Sequence, residues 1–212
     1  MQDIKLNLFL LTALLIAFAT HISTAQNPIS PPGMYIADPS AKVFNDGKLY
    51  IYGSLDEACD YYCSWRHHVM VTDDMQNWDI EENVFSSKGE NDQVPYTDKL
   101  LFAPDAQMMG DSVYLYYCMP DKEFAEGVAV GTSPTGPFIN GQNLELGGYN
   151  QIDPSVFIDD DGQAYYMWGQ FSMKMAKLKP NMRELDLNTI KDSIITEEDH
   201  HFHEGAYMTK RN

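Results

Sequence analysis

The sequence predicts an all-β fold made of repeated four-stranded units, the architecture of a β-propeller. A unit that opens on Asp-Pro or Ala-Pro recurs at residues 38, 103 and 153, so that successive openings lie 65 and 50 residues apart. Eight positions after each opening stands Asp-Gly or Asp-Ser, and a tyrosine-rich run follows it. Spacings near these values are typical of propeller blades.

The local chemistry of each unit predicts a hairpin. Proline favours extended geometry in the residue before it and cannot donate to a ladder, so each opening is expected at the start of a strand. Asp-Gly between β-rich runs is a strong hairpin signal. A third strand, a turn-rich segment and a weaker fourth strand complete each unit. The predicted blades span about 35–98, 99–149 and 150–200, and residues 201–212 supply the first strand of a fourth blade.

The N-terminal region has the pattern of an export signal. An apolar run at 6–19 follows Lys5 and precedes Ser23-Thr24-Ala25, a small-x-small cleavage pattern, so residues 1–25 are predicted to be a signal peptide. The run is short for a membrane span. Asp3 is untypical of a basic leader, which leaves a retained interfacial anchor as the alternative. Residues 26–34 are predicted to be a linker, and the mature chain is expected to be secreted or periplasmic.

Charge and cysteine content restrict the partners. The net charge of −17 argues against nucleic acid as a partner and is typical of a solvated surface. Cys59 and Cys63 would form a small-loop disulfide in an oxidising compartment, or remain free. Cys118 is expected to be a buried thiol. Three cysteines without paired C-x-x-C motifs do not favour structural zinc.

Three acidic residues stand at equivalent positions of the repeat. Asp38 and Asp153 precede proline, and Glu204 follows Asp153 by 51 residues. Aspartate before proline is also a common turn initiator, which is the structural alternative. If the units are equivalent blades, the three carboxylates meet at the centre. An inverting glycosidase needs a carboxylate that activates water and a protonated acid ~6.5–9.5 Å away.

Several short motifs occur in a recognisable order. They are Asp-Pro-Ser at 38 and 153, Phe102-Ala103-Pro104-Asp105, Met75-Gln76-Asn77-Trp78, Ser133-Pro134-Thr135-Gly136-Pro137-Phe138 and His203-Glu204-Gly205. From about residue 35 to residue 212 the chain resembles glycoside hydrolase family 43. That resemblance implies a five-bladed β-propeller and inverting cleavage of arabinose- or xylose-containing glycans. It implies Asp38 as general base, Glu204 as general acid, and Asp153 as a third carboxylate that orients the acid and raises its pKa.

The resemblance also suggests substrate contacts. It implies that Phe102 and Trp168 lie near the central funnel, where an aromatic ring can stack on a sugar. Phe102 stands where the family usually has tryptophan, so the pocket shape is expected to differ. His203 is predicted to contact the acid or the substrate. Asp105 is expected either in the funnel or at a hairpin end.

A metal site is the main alternative for the histidines. His200, His201 and His203, with His67 and His68 elsewhere, resemble a metal-binding set because His-x-His places two imidazoles on one strand face. We predict no metal and no cofactor; the resemblance allows a calcium ion only in the complete propeller. Asp159-Asp160-Asp161-Gly162 lacks the alternating ligands of an EF-hand and is expected to form a turn.

The resemblance requires five blades, whereas the sequence supplies three and the first strand of a fourth. The chain is therefore expected to be a truncated or partial propeller, either a glycosidase or a non-catalytic carbohydrate-binding fragment. Retaining fructan-cleaving enzymes would need an Asn-Asp-Pro-Asn-like opening and Arg-Asp-Pro in place of Ile152-Asp153-Pro154, and neither motif is present. The sequence gives no evidence on the oligomeric state.

Overall fold

A computed structural model describes residues 29–211 and shows three four-stranded antiparallel sheets, which confirms the all-β prediction. The signal peptide predicted for 1–25 and the first residues of the predicted linker lie outside the described residues. Each sheet contains four consecutive strands in sequence order. This meander topology is that of propeller blades.

The strands are as follows. The first sheet contains β1 (Tyr35–Val43), β2 (Leu49–Asp56), β3 (Arg66–Thr72) and β4 (Asp79–Ser86). The second contains β5 (Phe102–Met109), β6 (Ser112–Cys118), β7 (Glu126–Gly131) and β8 (Ile139–Asn143). The third contains β9 (Ser155–Ile158), β10 (Ala164–Trp168), β11 (Lys174–Leu178) and β12 (Leu185–Lys191).

A hairpin opens every sheet, as the repeat predicts. Val43 pairs with Leu49, Met109 with Ser112, and Ile158 with Ala164. In the second sheet the two-residue turn is Gly110-Asp111, one position earlier than expected, because Gly110 takes the positive φ of 60°. The sequence therefore predicts these hairpin turns, because a few adjacent residues determine the conformation of a turn.

The openings at Ala103 and Asp153 stand at strand starts as expected, but the expected extended geometry is wrong for all three openings and the expected position is wrong for Asp38. Asp38 and Pro39 lie inside β1, at a bulge where the pairing jumps from Ala37↔Ser54 to Ser40↔Tyr52. A bulge tolerates proline because its residue makes no ladder hydrogen bond. The residue before proline has positive φ in all three openings, with 49° at Asp38, 32° at Ala103 and 67° at Asp153. At these residues the side chains depart from the regular alternation of a strand.

Two apolar clusters hold the sheets together. The first joins sheets one and two and includes Tyr52, Phe85, Leu115 and Tyr117. The second joins sheets two and three and includes Tyr116, Val128, Tyr166 and Trp168. Adjacent Tyr116 and Tyr117 enter opposite clusters because successive strand residues point to opposite faces. The second sheet is therefore packed on both faces.

After β12 the chain forms the one-turn helix α1 (Glu197–His200). Thr196 caps it by accepting a hydrogen bond from the Asp199 N–H, and His201 ends it with φ 58°. Residues 201–211 then run without regular structure, so Glu204 lies in no described strand, contrary to expectation. Residues 29–211 contain no helix long and apolar enough to cross a membrane.

Candidate active site

The three acids of the repeat line one cavity of about 380 Å³. Asp38 comes from β1, Asp153 lies two residues before the start of β9, and Glu204 lies in the segment after α1. Strand β5 lies against both β1 and β9, which brings the irregular openings of the three sheets together. The structure thus brings the three predicted carboxylates together, although Glu204 lies in a segment without regular structure and not in a strand.

Asp38 is held by a buried serine. The Ser54 hydroxyl donates to Asp38 Oδ2 at 3.1 Å and accepts the Ala103 N–H at 2.7 Å. Ser54 lies on β2, so this hydroxyl links the first and second sheets. Asp38 itself is exposed to the cavity. Its carboxylate is therefore oriented and open to solvent.

Asp153 lies beside the thiol of Cys118. Its N–H donates to Cys118 Sγ at 3.5 Å, and Sγ is 4.0 Å from its Oδ1. Burial, followed by the negative charges of Glu204 and Asp38, raises the pKa of Asp153 to about 6, although the Gly205 N–H opposes the shift. The negative charges of the other two acids thus disfavour the ionised form of Asp153. The expectation that Asp153 raises the pKa of Glu204 stays a prediction.

Glu204 is contacted by a glutamine that sequence reasoning missed. Gln170 Nε2 donates to Glu204 Oε2 at 2.7 Å. Gln170 lies in the connection between β10 and β11. The two segments are also joined by the Phe171 N–H, which donates to the His203 carbonyl at 2.6 Å.

Asp105 lines the cavity as a structural ion pair. Its carboxylate lies 2.9 Å from Lys42 Nζ, accepts the Val156 N–H at 2.7 Å, and accepts the Ser40 hydroxyl. These partners come from β1 and β9, so Asp105 ties all three sheets beneath the acids. No periodic signal in the sequence identifies Ser40 and Lys42, because the bulge at Asp38 and Pro39 breaks the two-residue alternation of β1.

Residues 25–212 match the family described as Glycosyl hydrolases family 43. The chain belongs to glycosyl hydrolase family 43. It is 41% identical over 147 residues to Xylosidase/arabinosidase 43A of Humicola insolens, covering 64% of this chain and 44% of that protein. It is 36% identical over 148 residues to a xylosidase/arabinosidase of Bacteroides ovatus, covering 65% and 44%. The chain thus spans less than half the length of these curated relatives.

Solved structures agree with the family 43 assignment. CoXyl43, a β-xylosidase/α-arabinofuranosidase from a compost microbial metagenome in complex with xylotriose, superposes with a TM-score of 0.75 at 26% identity, covering 89% of this chain and 71% of that one. A family 43 enzyme of Xanthomonas citri complexed with xylotriose gives 0.74 at 25% identity, covering 87% and 66%. The three sheets therefore correspond to part of a family 43 propeller.

Within this family 43 chain, the predicted substrate contacts lie outside the cavity lining. The structure corrects the stacking prediction for Trp168: the ring is 0% exposed, and its Nε1 donates to the Tyr149 carbonyl at 2.8 Å. Phe102 packs against Tyr62, with ring centroids 5.6 Å apart. His203 is directed to Glu197 at 2.8 Å.

The aromatic residue that lines the cavity is one that sequence reasoning missed. Tyr207 is 66% exposed, and Lys42 Nζ lies 5.6 Å from the centre of its ring. It follows Glu204 by three residues in the irregular segment. An exposed ring at the edge of a sugar-sized cavity is suited to stacking.

The histidines serve other purposes in the family 43 chain. His67 is buried, and burial lowers its pKa to about 4. His200 Nδ1 accepts the Thr196 N–H at 3.1 Å. Among residues 29–211, no group of three or more His, Cys, Asp or Glu side chains is placed to hold a metal ion. Asp159 and Asp160 form the expected turn and pair with Lys210.

The cysteines and a hidden carboxyl complete the site's surroundings. Cys59, Cys63 and Cys118 are free, so the Cys59–Cys63 disulfide is not formed, and Cys118 is buried as predicted. Glu126 is fully buried; Tyr166 donates to its Oε2, while Oε1 has no hydrogen-bond partner. Burial raises the pKa of Glu126 well above its usual value and therefore favours its protonated form, and the negative charge of Asp153 adds to this shift.

Proposed function

We propose that the protein hydrolyses O-glycosidic bonds in arabinose- or xylose-containing oligosaccharides and polysaccharides. The observation that carries this proposal is the single cavity lined by Asp38, Asp153 and Glu204. The names of the relatives from Humicola insolens and Bacteroides ovatus support the sugar class. Two structural relatives bound to xylotriose support it as well.

The proposed chemistry is inversion with two carboxyl groups. Asp38 accepts a proton from water, whose oxygen attacks the anomeric carbon. Glu204 gives its proton to the departing glycosidic oxygen as the C–O bond breaks. The Ser54 hydrogen bond keeps the Asp38 carboxylate in a fixed orientation. Water and carboxyl groups supply and accept every proton, so we expect a chelator to leave turnover unchanged.

Asp153 is proposed as the third carboxylate that orients the acid and acts on its ionisation. Its pKa of about 6 means that it gains negative charge as pH rises through that value. A nearby negative charge disfavours ionisation of another carboxyl group. Asp153 would thus help to keep a neighbouring acid protonated at neutral pH.

Hydrolysis of aryl α-L-arabinofuranosides and β-xylosides by the full-length chain tests the function. On xylobiose, whose leaving group needs a proton, Asp38→Asn and Glu204→Gln should each lower kcat by about 10²–10⁴-fold, the usual contribution of an acid or base. Asp159→Asn, at an exposed ion pair, is the matched control and should keep wild-type activity. Full activity in Asp38→Asn would refute the role assignment. Binding of xylotriose without any hydrolysis would instead indicate a carbohydrate-binding propeller.

We also propose that the protein is exported. The apolar run at 6–19 and the Ser23-Thr24-Ala25 pattern support a cleaved signal peptide. N-terminal sequencing of the mature protein should begin at Gln26. A mature protein that starts at Met1 would indicate retention of the leader.

A further inference from the structure

The hydrogen bond from Gln170 to Glu204 suggests how the acid of the proposed reaction is oriented. Gln170 Nε2 lies 2.7 Å from Glu204 Oε2. An amide N–H needs an acceptor, so it favours Oε2 as the unprotonated oxygen. We propose that Gln170 is a positioning residue that holds Glu204 with its proton on Oε1, ready for the leaving group. This inference rests on the proposed glycosidase function.

The connection that carries Gln170 is anchored to a buried lysine. The Gln170 N–H donates to Gln151 Oε1 at 3.2 Å, and the same oxygen accepts from Lys174 Nζ at 2.7 Å. Lys174 is 4% exposed and also donates to the Ser172 hydroxyl at 2.8 Å. Asp192 lies 3.2 Å from its ammonium group. A buried ammonium with several oxygen partners fixes the backbone next to Gln170.

Glycine is required at the start of this connection. Gly169 has φ 130°, and a Cβ there would lie 2.2 Å from the Ser172 carbonyl oxygen. The Gly169 N–H donates to the Ile152 carbonyl at 2.8 Å. The turn is thus tight and tied to the segment that precedes Asp153. It cannot move without breaking these contacts.

The far side of the same connection holds the Glu204 segment. The Phe171 N–H donates to the His203 carbonyl at 2.6 Å, and the Phe171 carbonyl accepts the Glu197 N–H at 2.8 Å. The Phe171 and His203 rings also meet edge to face, with centroids 4.8 Å apart. Donor and acceptor therefore belong to two segments whose backbones are joined at Phe171, the residue next to Gln170.

A neutral donor suits a general acid. A lysine or arginine at this distance would strongly stabilise the ionised carboxylate and oppose proton donation. The glutamine amide stays uncharged at every pH, so it orients the carboxyl group with a weaker bias. Gln170 therefore fits orientation of the acid better than neutralisation of its charge.

Kinetics of Gln170→Leu in the full-length chain test the inference, with Gln76→Leu in an exposed turn as control. On xylobiose or alkyl glycosides, whose leaving groups need a proton, kcat should fall about 10- to 100-fold with KM unchanged, as for a misplaced catalytic group. On 2,4-dinitrophenyl glycosides, which leave without a proton, kcat should change less than about threefold. Equal losses on both substrates, or a raised KM instead, would overturn the positioning role.

A second measurement separates this inference from the proposed function. In ¹⁵N–¹H spectra, the Gln170 side-chain amide is the resonance lost in Gln170→Leu. Its proton should shift in Glu204→Ala, because the acceptor is gone, even if the chain cleaves no glycoside. An unchanged resonance would overturn the contact. A shifted resonance together with an inactive wild-type chain would support the contact and reject the glycosidase proposal.

Discussion

Replacing Asp105 by leucine removes the buried carboxylate that joins the three sheets. The ammonium group of Lys42, whose side chain is 10% exposed, would lose its partner at 2.9 Å. The Val156 N–H would lose its acceptor at 2.7 Å. Leucine keeps the branched shape of the side chain, although its methyl groups are larger than the carboxylate oxygens, so the change removes every polar contact of Asp105. The double variant described below separates the loss of charge pairing from the added volume.

The expected loss of stability is large. Removing one partner of a buried ion pair costs about 3–5 kcal/mol, because the other charge stays buried without compensation. Part of that cost is the unpaired Val156 N–H, since a buried orphan donor costs about 1–3 kcal/mol. In a domain of this size each kcal/mol lowers Tm by about 2–4 °C, so Tm should fall by roughly 6–20 °C.

Urea unfolding of the full-length chain measures this effect. Adding Lys42→Met to Asp105→Leu should recover much of the loss, because no unpaired charge then remains. Asp159→Asn is the control, since its exposed pair with Lys210 should contribute little. An Asp105→Leu variant as stable as the Asp159→Asn control would refute the role of Asp105. So would a double variant no more stable than Asp105→Leu.

Three further outcomes follow from the site. Burial raises the pKa of Glu126, so folding favours its protonated form. The contribution of Glu126 to the stability of the fold is therefore complete at low pH and is lost as pH rises. In urea unfolding, Glu126→Gln should be as stable as wild type at pH 4 and more stable than wild type at pH 8. Ser54→Ala should cost about 1–3 kcal/mol in the same assay, because the buried Ala103 N–H loses its acceptor. Tyr207→Ala should raise KM by roughly 2- to 10-fold while Tyr207→Phe keeps it, if the ring stacks on sugar. Equal KM values in all three forms would reject that contact.

The repeat of the sheets could be predicted because local chemistry specifies it. Asp46-Gly47 and Asp161-Gly162 form turns whose conformation depends on a few adjacent residues. Aligning these turns also placed Asp38 and Asp153 at equivalent positions, and the structure brings both to one cavity. The repeat in the sequence therefore identified two of the three acids that line the cavity.

The backbone at the acids could not be predicted in the same way. The general preference of residues before proline is extended, yet Asp38 and Asp153 have positive φ. Tertiary pairing overrides the local preference, since the bulge in β1 leaves Asp38 and Pro39 opposite one residue of β2. The register of a neighbouring strand is not encoded in a dipeptide.

The contacts between sheets were also beyond the sequence. The Asp105–Lys42 pair joins residues 63 positions apart. The family resemblance predicted that Trp168 stacks on a sugar, but its side chain lies in the apolar cluster between sheets two and three. Tyr207 carries no periodic signal because its segment is irregular. Each of these outcomes depends on how sheets stack, which strand alternation alone does not specify.

We propose that Asp38 and Glu204 have different roles in one reaction, and a comparison of leaving groups distinguishes these roles. Activities of Asp38→Gly and Glu204→Gly should be measured on a xyloside with an alkyl leaving group and on one with 2,4-dinitrophenolate. We expect Glu204→Gly to be inactive on the first substrate and to regain rate on the second, because that leaving group needs no proton. Asp38→Gly should be inactive on both, since water still needs a base. Recovery in Asp38→Gly but not in Glu204→Gly would contradict the assignment.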